Sequence, residues 1–227
     1  AAENLKEGEG GRFFDDYCNW TRIPEFEQVI RTSSAAEVAA DLMGSERVQV
    51  FHDHVLVKEP GTSMATPWHT DGPYYFVEGE QTVSFWIPVD PVADASLRIV
   101  AGSHRWEKPV LPTRWLNEDS FYPNEDDYIP VPDPDSAPND FRVLEWPMQP
   151  GDAVAFHYKA LHGARANDGG TRRRAFSLRL VGDDARYVTR PGHTSPPFPG
   201  HGMKDGERLR EDFELAQMVR GASYDWE

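Results

Sequence analysis

Cysteine, positive charge and long apolar runs are all scarce in this sequence. Cys18 is the single cysteine among 227 residues, so no internal disulfide can form and nothing indicates an oxidising compartment. Lysine and arginine number 23 against 38 aspartate and glutamate residues, a net charge of −15. Such a surface repels phosphate backbones and anionic lipids, so we expect neither a nucleic-acid partner nor a membrane partner. No apolar run approaches a membrane span and no signal-peptide pattern appears, so we expect a cytoplasmic protein.

The remaining composition is that of one globular domain. Hydrophobic residues make up 39% of the chain and aromatic residues 12%, as in proteins that build a sizeable core. We therefore treat residues 1–227 as a single domain. Its expected parts are an N-terminal helical part over 1–46, a β core over 47–185, and a C-terminal loop and helix over 186–227.

Local patterns predict a helical start. Pro24 suits the first turn of a helix over Glu25–Arg31, and Ser34 and Glu37 form a capping-box pattern for a second helix that ends at Gly44. The second helix is expected to bury an apolar face made of Val38, Leu42 and Met43. A closing helix is expected over Gly206–Val219.

Strand patterns dominate the middle of the chain. Segments rich in β-branched and aromatic residues recur between turn signals, over Arg47–Lys58, Thr82–Val89, Leu97–Val100, Phe141–Trp146, Ala153–His157 and Arg172–Val181. Short strands at such intervals predict a mainly β fold, a double-stranded β-helix (a jelly roll, cupin-like) with flanking helices.

Residues 117–140 form an acidic, proline-rich insertion in the β core, without helical periodicity. One interpretation is a solvated surface insertion. The other is a loop over the mouth of a pocket, because long loops in a compact domain are often lids. The sequence leaves both open.

The stretch Thr66–Gly72 holds a histidine and an aspartate separated by one residue. Side chains alternate between the two faces of a strand, so His69 and Asp71 would point the same way. An imidazole and a carboxylate are part of the two-histidine, one-carboxylate set that holds non-haem Fe(II) and leaves positions open for chemistry. Spacing and context place the third ligand at His162. The motif alone is weak, because such triplets also arise by chance.

The last strong strand has one apolar and one polar face. The polar face is small and cationic, as a ligand cavity would be, and carries Arg173, Ala175, Ser177 and Arg179. Arg173 is our choice for a buried anion clamp, because a guanidinium matches a carboxylate with two parallel hydrogen bonds. Arg174 is in phase with the apolar face and is expected at the edge with its head in solvent. If Arg173 is the wrong choice, Arg174 or Arg179 is next.

Several short motifs follow one another between Arg47 and about Tyr187. They are Trp68-His69-Thr70-Asp71, Trp86-Ile87-Pro88-Val89-Asp90, Leu97-Arg98-Ile99-Val100-Ala101-Gly102-Ser103-His104, Pro150-Gly151-Asp152, Phe156-His157, His162-Gly163 and Arg173-Arg174-Ala175-Phe176-Ser177. In this order they resemble the phytanoyl-CoA dioxygenase family of Fe(II)- and 2-oxoglutarate-dependent oxygenases. The resemblance implies His69, Asp71 and His162 as catalytic iron ligands, Arg173 on the distal carboxylate of 2-oxoglutarate, and Trp86 in the cosubstrate site.

The resemblance also implies a reaction. It is the hydroxylation of an unactivated C–H of a small organic substrate with O2, Fe(II) and 2-oxoglutarate, releasing succinate and carbon dioxide, with ascorbate as reductant in vitro. Related halogenases have a small residue in place of the carboxylate, so Asp71 favours hydroxylation.

The chain departs from the family at Thr70, where Gln or a similar polar residue is usual, and at the short turn Ala93-Asp94-Ala95-Ser96. The alternative is a non-catalytic cupin-like module that binds Zn(II) or Ni(II) through the same three residues, in which Arg173 would have no dicarboxylate to bind.

Further polar and aromatic residues are candidates for the cavity. We expect His54 and Ser177 near the cosubstrate, and a second set near the substrate, namely Tyr74, Tyr75, His52 and Arg179. Lys58 continues the strand face of the two histidines. A position near the cosubstrate is one interpretation, but we expect it to be exposed. A surface at −15 would not attract a polyanionic coenzyme A ester, so a free small molecule is the expected substrate. No pattern indicates the oligomeric state.

Overall fold

Two antiparallel β-sheets and two α-helices build most of the described chain. The computed structural model describes residues 2–4, 11–94, 96–114, 122, 126–197 and 200–210. The helices are α1 (Pro24–Thr32) and α2 (Ala35–Met43). The strands are β1 (Ala2–Asn4), β2 (Phe13–Tyr17), β3 (Gln49–Lys58), β4 (Thr66–His69), β5 (Val77–Glu78), β6 (Thr82–Pro88), β7 (Leu97–Val100), β8 (Val143–Glu145), β9 (Val154–Phe156), β10 (His162–Ala164), β11 (Arg173–Val181) and β12 (Arg186–Tyr187).

The strand order is that of a jelly roll. A six-stranded sheet has the order β1-β2-β3-β11-β6-β9, a four-stranded sheet has the order β4-β10-β7-β8, and β12 pairs with β5. Apolar side chains from both large sheets pack in one cluster, among them Phe13, Leu56, Trp86, Leu97 and Ile99. The predicted mainly β fold is therefore confirmed, with a core between the two sheets.

The helices cover the outer face of the six-stranded sheet. Phe176 and Leu178 of β11 pack with Ile30 of α1 and Ala39 of α2. The ring of Phe26 stacks on that of Phe176 with centroids 5.0 Å apart. Because the apolar side chains of β11 turn outward, its polar side chains face the other sheet.

The predicted buried face of α2 was wrong for Val38 and Leu42, whereas Met43 packs against the core as predicted. Val38 is 43% exposed and Leu42 59%, whereas Ala39 is fully buried. The helix turns Ala39 towards the sheet, so Val38 and Leu42 point to solvent. The capping box was also wrong, because Ser34 has near-helical angles (φ −73°, ψ 6°) and its side chain makes no cap hydrogen bond. Gly44 ends the helix in the left-handed conformation (φ 59°), as predicted.

The two ends of the chain differ from the expected helical parts. Residues 1–46 also contribute β1 and β2, and β2 pairs with β3 inside the main sheet. At the other end, residues 206–210 form a turn and a bridge between Arg208 and Arg186 instead of a helix. This pairing with β12 explains why the predicted helix does not begin at Gly206, and residues 211–219 of that prediction lie outside the described residues.

The helices that the structure describes are short. None of them is long and apolar enough to cross a membrane.

Candidate active site

Two neighbouring strands bring His69 and His162 face to face. His69 is the last residue of β4, His162 is the first of β10, and the two are register partners with ring centroids 4.2 Å apart. Asp71 Oδ1 lies 3.6 Å from His69 Nε2 and 3.8 Å from His162 Nε2. Ligand atoms of the three buried residues all lie within 4.8 Å of one another, so they could hold a metal ion.

Asp71 reaches this group through a turn and not through strand alternation. β4 ends at His69, and Asp71 has helical angles (φ −72°, ψ −34°) ahead of a short 3-10 helix, Gly72–Tyr74. The backbone N–H groups of Asp71 and Gly72 both donate to the Tyr158 carbonyl, at 2.9 and 3.1 Å. A Cβ on Gly72 would lie 2.8 Å from the Tyr158 ring, so glycine permits this close approach. The structure does bring His69 and Asp71 together, but the predicted reason, a shared face of one strand, was wrong.

Backbone carbonyl groups orient both imidazoles. His69 Nδ1 lies 2.8 Å from the Pro67 carbonyl oxygen, and His162 Nδ1 lies 2.9 Å from that of Ala160. Each Nδ1 can thus donate its proton to the carbonyl, which leaves the Nε2 lone pair for a metal. Burial and the neighbouring His69 lower the pKa of His162 to about 3, so this imidazole is neutral, as a ligand must be.

Arg179 lies behind Asp71. Its Nη2 is 3.6 Å from Asp71 Oδ2, and its Nε donates to the Tyr75 hydroxyl at 3.1 Å. Burial alone would raise the pKa of Asp71, but Arg179 and the imidazoles of His162 and His69 outweigh it and hold the pKa well below its usual range. The carboxylate is therefore ionised. Its Oδ1 faces the imidazoles while its Oδ2 faces the guanidinium.

The donor set fits ferrous iron. Two imidazole Nε2 atoms and one carboxylate oxygen that converge on one point match the facial set of non-haem iron sites. The other nitrogen of each imidazole meets a carbonyl oxygen, and the other carboxylate oxygen meets a guanidinium. Such outer partners hold ligands in position before a metal arrives.

The inner face of β11 continues to a second arginine at the other end of the strand. Arg173 is 4% exposed, and its guanidinium carbon lies 5.6 Å from the centre of the Trp86 ring. Its register partner on β3 is Lys58, which is fully buried. The expectation that Lys58 is exposed was wrong, because β2 covers β3 there and places the Phe13 ring 4.8 Å from Nζ.

The pKa values of both cations respond to this burial. Burial lowers the pKa of Arg173 to about 10. Burial, followed by the charge of Arg173, lowers the pKa of Lys58 well below its usual range. Burial and the proximity of the two side chains thus both disfavour their charged forms, and an anion bound between them would favour those forms again.

Ser177 and His54 occupy the middle of the same face as register partners. The Ser177 hydroxyl donates to the Phe85 carbonyl at 2.9 Å, so it also joins β11 to β6. His54 stacks on Tyr17 with centroids 4.0 Å apart, and its Nε2 lies 3.8 Å from a carboxylate oxygen of Asp15. Burial is the main reason that the pKa of His54 is lowered. Contact of Ser177 and His54 with a cosubstrate stays a prediction.

The predicted substrate residues divide into two groups. His52 is the register partner of Arg179, and Tyr75 meets the His52 ring edge-on at 5.2 Å. Among the described residues, neither His52 Nε2 nor Arg179 Nη1 has a hydrogen-bond partner. Tyr74 instead turns its hydroxyl to Thr113, donating to the carbonyl at 2.6 Å and accepting from the N–H at 2.8 Å. His52, Arg179 and Tyr75 are thus the more direct candidates.

Two residues beside the site were not singled out from the sequence. Arg190 donates from Nε to the Tyr75 carbonyl at 2.7 Å and from Nη2 to the Gly72 carbonyl at 3.2 Å. The Tyr122 hydroxyl donates to the Pro73 carbonyl at 2.8 Å. Both belong to segments without periodicity, so no local signal could have placed them against the turn that carries Asp71.

The described part of the 117–140 insertion is attached to the four-stranded sheet. Asp135 accepts hydrogen bonds from Arg98 Nη1 and Trp68 Nε1, each at 3.0 Å. Ile129 forms a bridge with Val110. These contacts anchor the segment next to the residue that precedes His69. Its role as a lid stays a prediction.

A jelly roll with two buried histidines on adjoining strands and a buried carboxylate in the turn that follows one of them is the arrangement typical of non-haem iron enzymes. The family model described as phytanoyl-CoA dioxygenase (PhyH) matches residues 5–175. The chain therefore belongs to the phytanoyl-CoA dioxygenase family.

A relative from Caenorhabditis elegans, described as a probable phytanoyl-CoA dioxygenase, is 26% identical over 180 residues, which cover 75% of this chain and 55% of that protein. The chain thus spans little more than half the length of this curated relative.

Solved structures of similar fold include enzymes with several reactions. SnoK, a non-heme alpha ketoglutarate dependent carbocyclase from nogalamycin biosynthesis, is 21% identical with a TM-score of 0.66, over 89% of this chain and 74% of that chain. The epimerase SnoN, in complex with Fe3+, alpha ketoglutarate and nogalamycin RO, is 20% identical with a TM-score of 0.65, over 89% and 77%. EctD from S. alaskensis, with 2-oxoglutarate and 5-hydroxyectoine, is 19% identical with a TM-score of 0.62, over 86% and 65%. These likenesses confirm the fold.

Proposed function

We propose that this chain is an Fe(II)- and 2-oxoglutarate-dependent dioxygenase that hydroxylates an unactivated C–H of a small polar molecule and releases succinate and carbon dioxide. The observation that carries the proposal is the buried group of His69, Asp71 and His162, which lies beside a face with two buried arginines. Membership of the family supports the same chemistry.

The three residues would hold the iron through His69 Nε2, His162 Nε2 and Asp71 Oδ1. Fe(II) bound there would supply the open coordination positions at which 2-oxoglutarate and O2 react. Arg179 faces Asp71 Oδ2 and would keep this oxygen from the metal, so that Asp71 would bind through Oδ1 alone.

Arg173 would bind the distal carboxylate of 2-oxoglutarate. A guanidinium pairs with a carboxylate through two parallel hydrogen bonds, and burial strengthens the pair because little water screens it. Trp86 covers the guanidinium and limits where that carboxylate can lie. A non-catalytic metal-binding module would have no use for such a group, which favours the enzyme over the cupin-like alternative.

The polar atoms beside Asp71 support a polar substrate. His52 Nδ1 lies 3.3 Å from the Asp53 carbonyl oxygen and can donate to it, so His52 Nε2 is an acceptor. Arg179 Nη1 on the paired position is a donor. A donor next to an acceptor matches a hydroxyl group, and an apolar chain would leave both unsatisfied at a cost of about 1–3 kcal/mol each.

Cosubstrate turnover tests the proposal. Purified protein with Fe(II), ascorbate and 2-oxoglutarate is expected to release succinate, and hydroxylated small molecules are expected to stimulate the release more than acyl-CoA esters do. His69→Ala should abolish it. Tight zinc binding without any turnover would instead favour the binding module.

Oxygen labelling separates hydroxylation from the other reactions found on this fold. Hydroxylation with 18O2 places the label in the product. An epimerised or cyclised product without label would retain the cosubstrate chemistry but overturn the hydroxylase part of the proposal.

A further inference from the structure

Lys58 and Arg173 are two basic residues buried side by side. They are direct register partners on the antiparallel strands β3 and β11, with Lys58 0% exposed and Arg173 4% exposed. Side chains at such paired positions lie about 5 Å apart at Cβ, and like charges there repel each other. Burial makes the repulsion stronger, because protein screens charge less than water does. The fold therefore places two positive groups where they cost stability.

The described neighbours of Lys58 are backbone carbonyl groups and an aromatic ring. Its Nζ donates to the carbonyl oxygens of Arg165 at 2.8 Å and Ala164 at 3.4 Å, and it lies over the Phe13 ring. In the described part of the chain no carboxylate forms a salt bridge with it. Asp15, the acid on the adjoining strand β2, has His54 as its ionic neighbour.

One donor of Lys58 remains to be satisfied. A lysine ammonium carries three N–H donors, and the two carbonyl oxygens take two of them. Among the residues that the structure describes, the third has no acceptor, so it could meet an oxygen of a bound ligand. A carboxylate held by Arg173 would be such an oxygen, because the two side chains start from paired positions on one face.

We propose that Lys58 is a second cosubstrate-binding residue, which together with Arg173 forms a two-cation site for the distal carboxylate of 2-oxoglutarate. This inference rests on the proposed function. It adds a consequence for selectivity, because a 2-oxo acid without a distal carboxylate offers neither cation an oxygen at this position. Lys58 also links this site to the metal-ligand candidates. The carbonyl oxygens to which its Nζ donates belong to Ala164 and Arg165, which follow His162 closely in the chain.

Binding measurements on the holoprotein test the role of Lys58. Mn(II) replaces Fe(II) under argon, so that binding is read by calorimetry without turnover. Lys58→Met keeps the length of the side chain and removes its charge. We expect it to weaken 2-oxoglutarate binding about tenfold or more. Affinity for 2-oxovalerate, which has no distal carboxylate, should change far less, and so should affinity for Mn(II). The exposed Lys204→Met serves as the matched control and should bind all three ligands like the parent.

Several outcomes distinguish this inference from the proposed function. If the parent protein binds no 2-oxoglutarate, both fail. If the parent binds it and Lys58→Met binds it equally well, or loses both 2-oxo acids equally, only the role of Lys58 is overturned.

A measurement on the unsubstituted protein covers the case in which Lys58→Met does not fold. A crystal structure with Mn(II) and 2-oxoglutarate should place Lys58 Nζ within about 3.5 Å of a distal carboxylate oxygen. A separation beyond about 5 Å would overturn the inference, because direct hydrogen bonding ends well before that distance.

Discussion

Arg173 and Arg179 lie on the same face of the same strand but meet opposite neighbours. Arg179 faces the Asp71 carboxylate and a tyrosine hydroxyl. Arg173 faces Lys58 across the strands and an indole ring. Both side chains are buried to a similar degree, at 7% and 4% exposure, so burial does not distinguish them. The difference is the charged neighbour of each guanidinium: the Asp71 carboxylate lies beside Arg179, whereas Lys58 is the register partner of Arg173.

This difference suggests separate duties for the two arginines. A buried cation balanced by an acid of its own chain completes the folded structure and holds that acid in place. A buried cation set against another cation is better explained by a charged ligand that arrives later. The charge neighbours of a buried arginine therefore help to separate one that positions an acid of the chain, as Arg179 does through Nη2, from one that binds a charged ligand.

Loss of a metal-ligand candidate should have the largest effect. His69→Ala or His162→Ala removes one of three donors, so we expect metal content after dialysis and succinate release to fall to background. Metal analysis and a 2-oxoglutarate turnover assay measure both. The exposed His104→Ala should retain both, and equal metal retention in all three variants would contradict the site.

Arg173→Met should have the second-largest effect. It should weaken 2-oxoglutarate binding and leave the stability of the protein nearly unchanged. Loss of a buried charge partner costs on the order of 3–5 kcal/mol, which predicts at least a hundredfold weaker 2-oxoglutarate binding. The melting temperature of the protein without cosubstrate should stay close to that of the parent, because an opposed positive charge is removed. Calorimetry and thermal unfolding check the two parts. Unchanged cosubstrate binding would mean that another arginine is the clamp.

Arg179→Met should instead act mainly on the stability of the protein, the reverse of what we expect for Arg173→Met. It removes a cation that faces a buried carboxylate, so the protein without metal should lose about 3 kcal/mol of unfolding free energy. Added Mn(II) should reduce the deficit, because the metal then neutralises Asp71. Denaturant unfolding with and without Mn(II) measures this. Full stability without metal would contradict the positioning role.

Arg174→Met should have the smallest effect and serves as the control for both. Arg174 is on the outer face and pairs with Asp90, with side-chain exposures of 47% and 20%. Exposed pairs contribute below about 1 kcal/mol. The hydrogen bond from Arg174 lowers the pKa of Asp90, so the contribution is present above the ordinary aspartate pKa and is lost as pH falls through the lowered value. Acid unfolding of this variant should therefore shift little, and cosubstrate binding should not change.

The contrast between the arginines was only partly predictable from sequence. Alternation along β11 correctly placed Arg173 and Arg179 on one face and Arg174 on the other, because side-chain direction in a strand is a local property. Their neighbours are not local. Lys58 is paired with Arg173 by the register of β3, and burial of that pair depends on β2, a strand that the sequence pattern did not reveal.

The metal-ligand candidates show the same limit. The sequence motif singled out residues that the fold does bring together, but the approach of Asp71 depends on two hydrogen bonds to Tyr158, far along the chain. The inward face of α2 was mispredicted for a related reason. Hydrophobicity favoured Val38 and Leu42, whereas the helix turns Ala39 towards the sheet and leaves these two larger side chains exposed.

The register pairing of His69 with His162 gives a bound ion a mechanical role. An ion that bridges cross-strand partners would join β4 to β10 as a covalent cross-link does, at the point where the two strands begin and end. Iron supply would then govern resistance to proteolysis as well as turnover, because the empty protein would open at this seam more often than the loaded one.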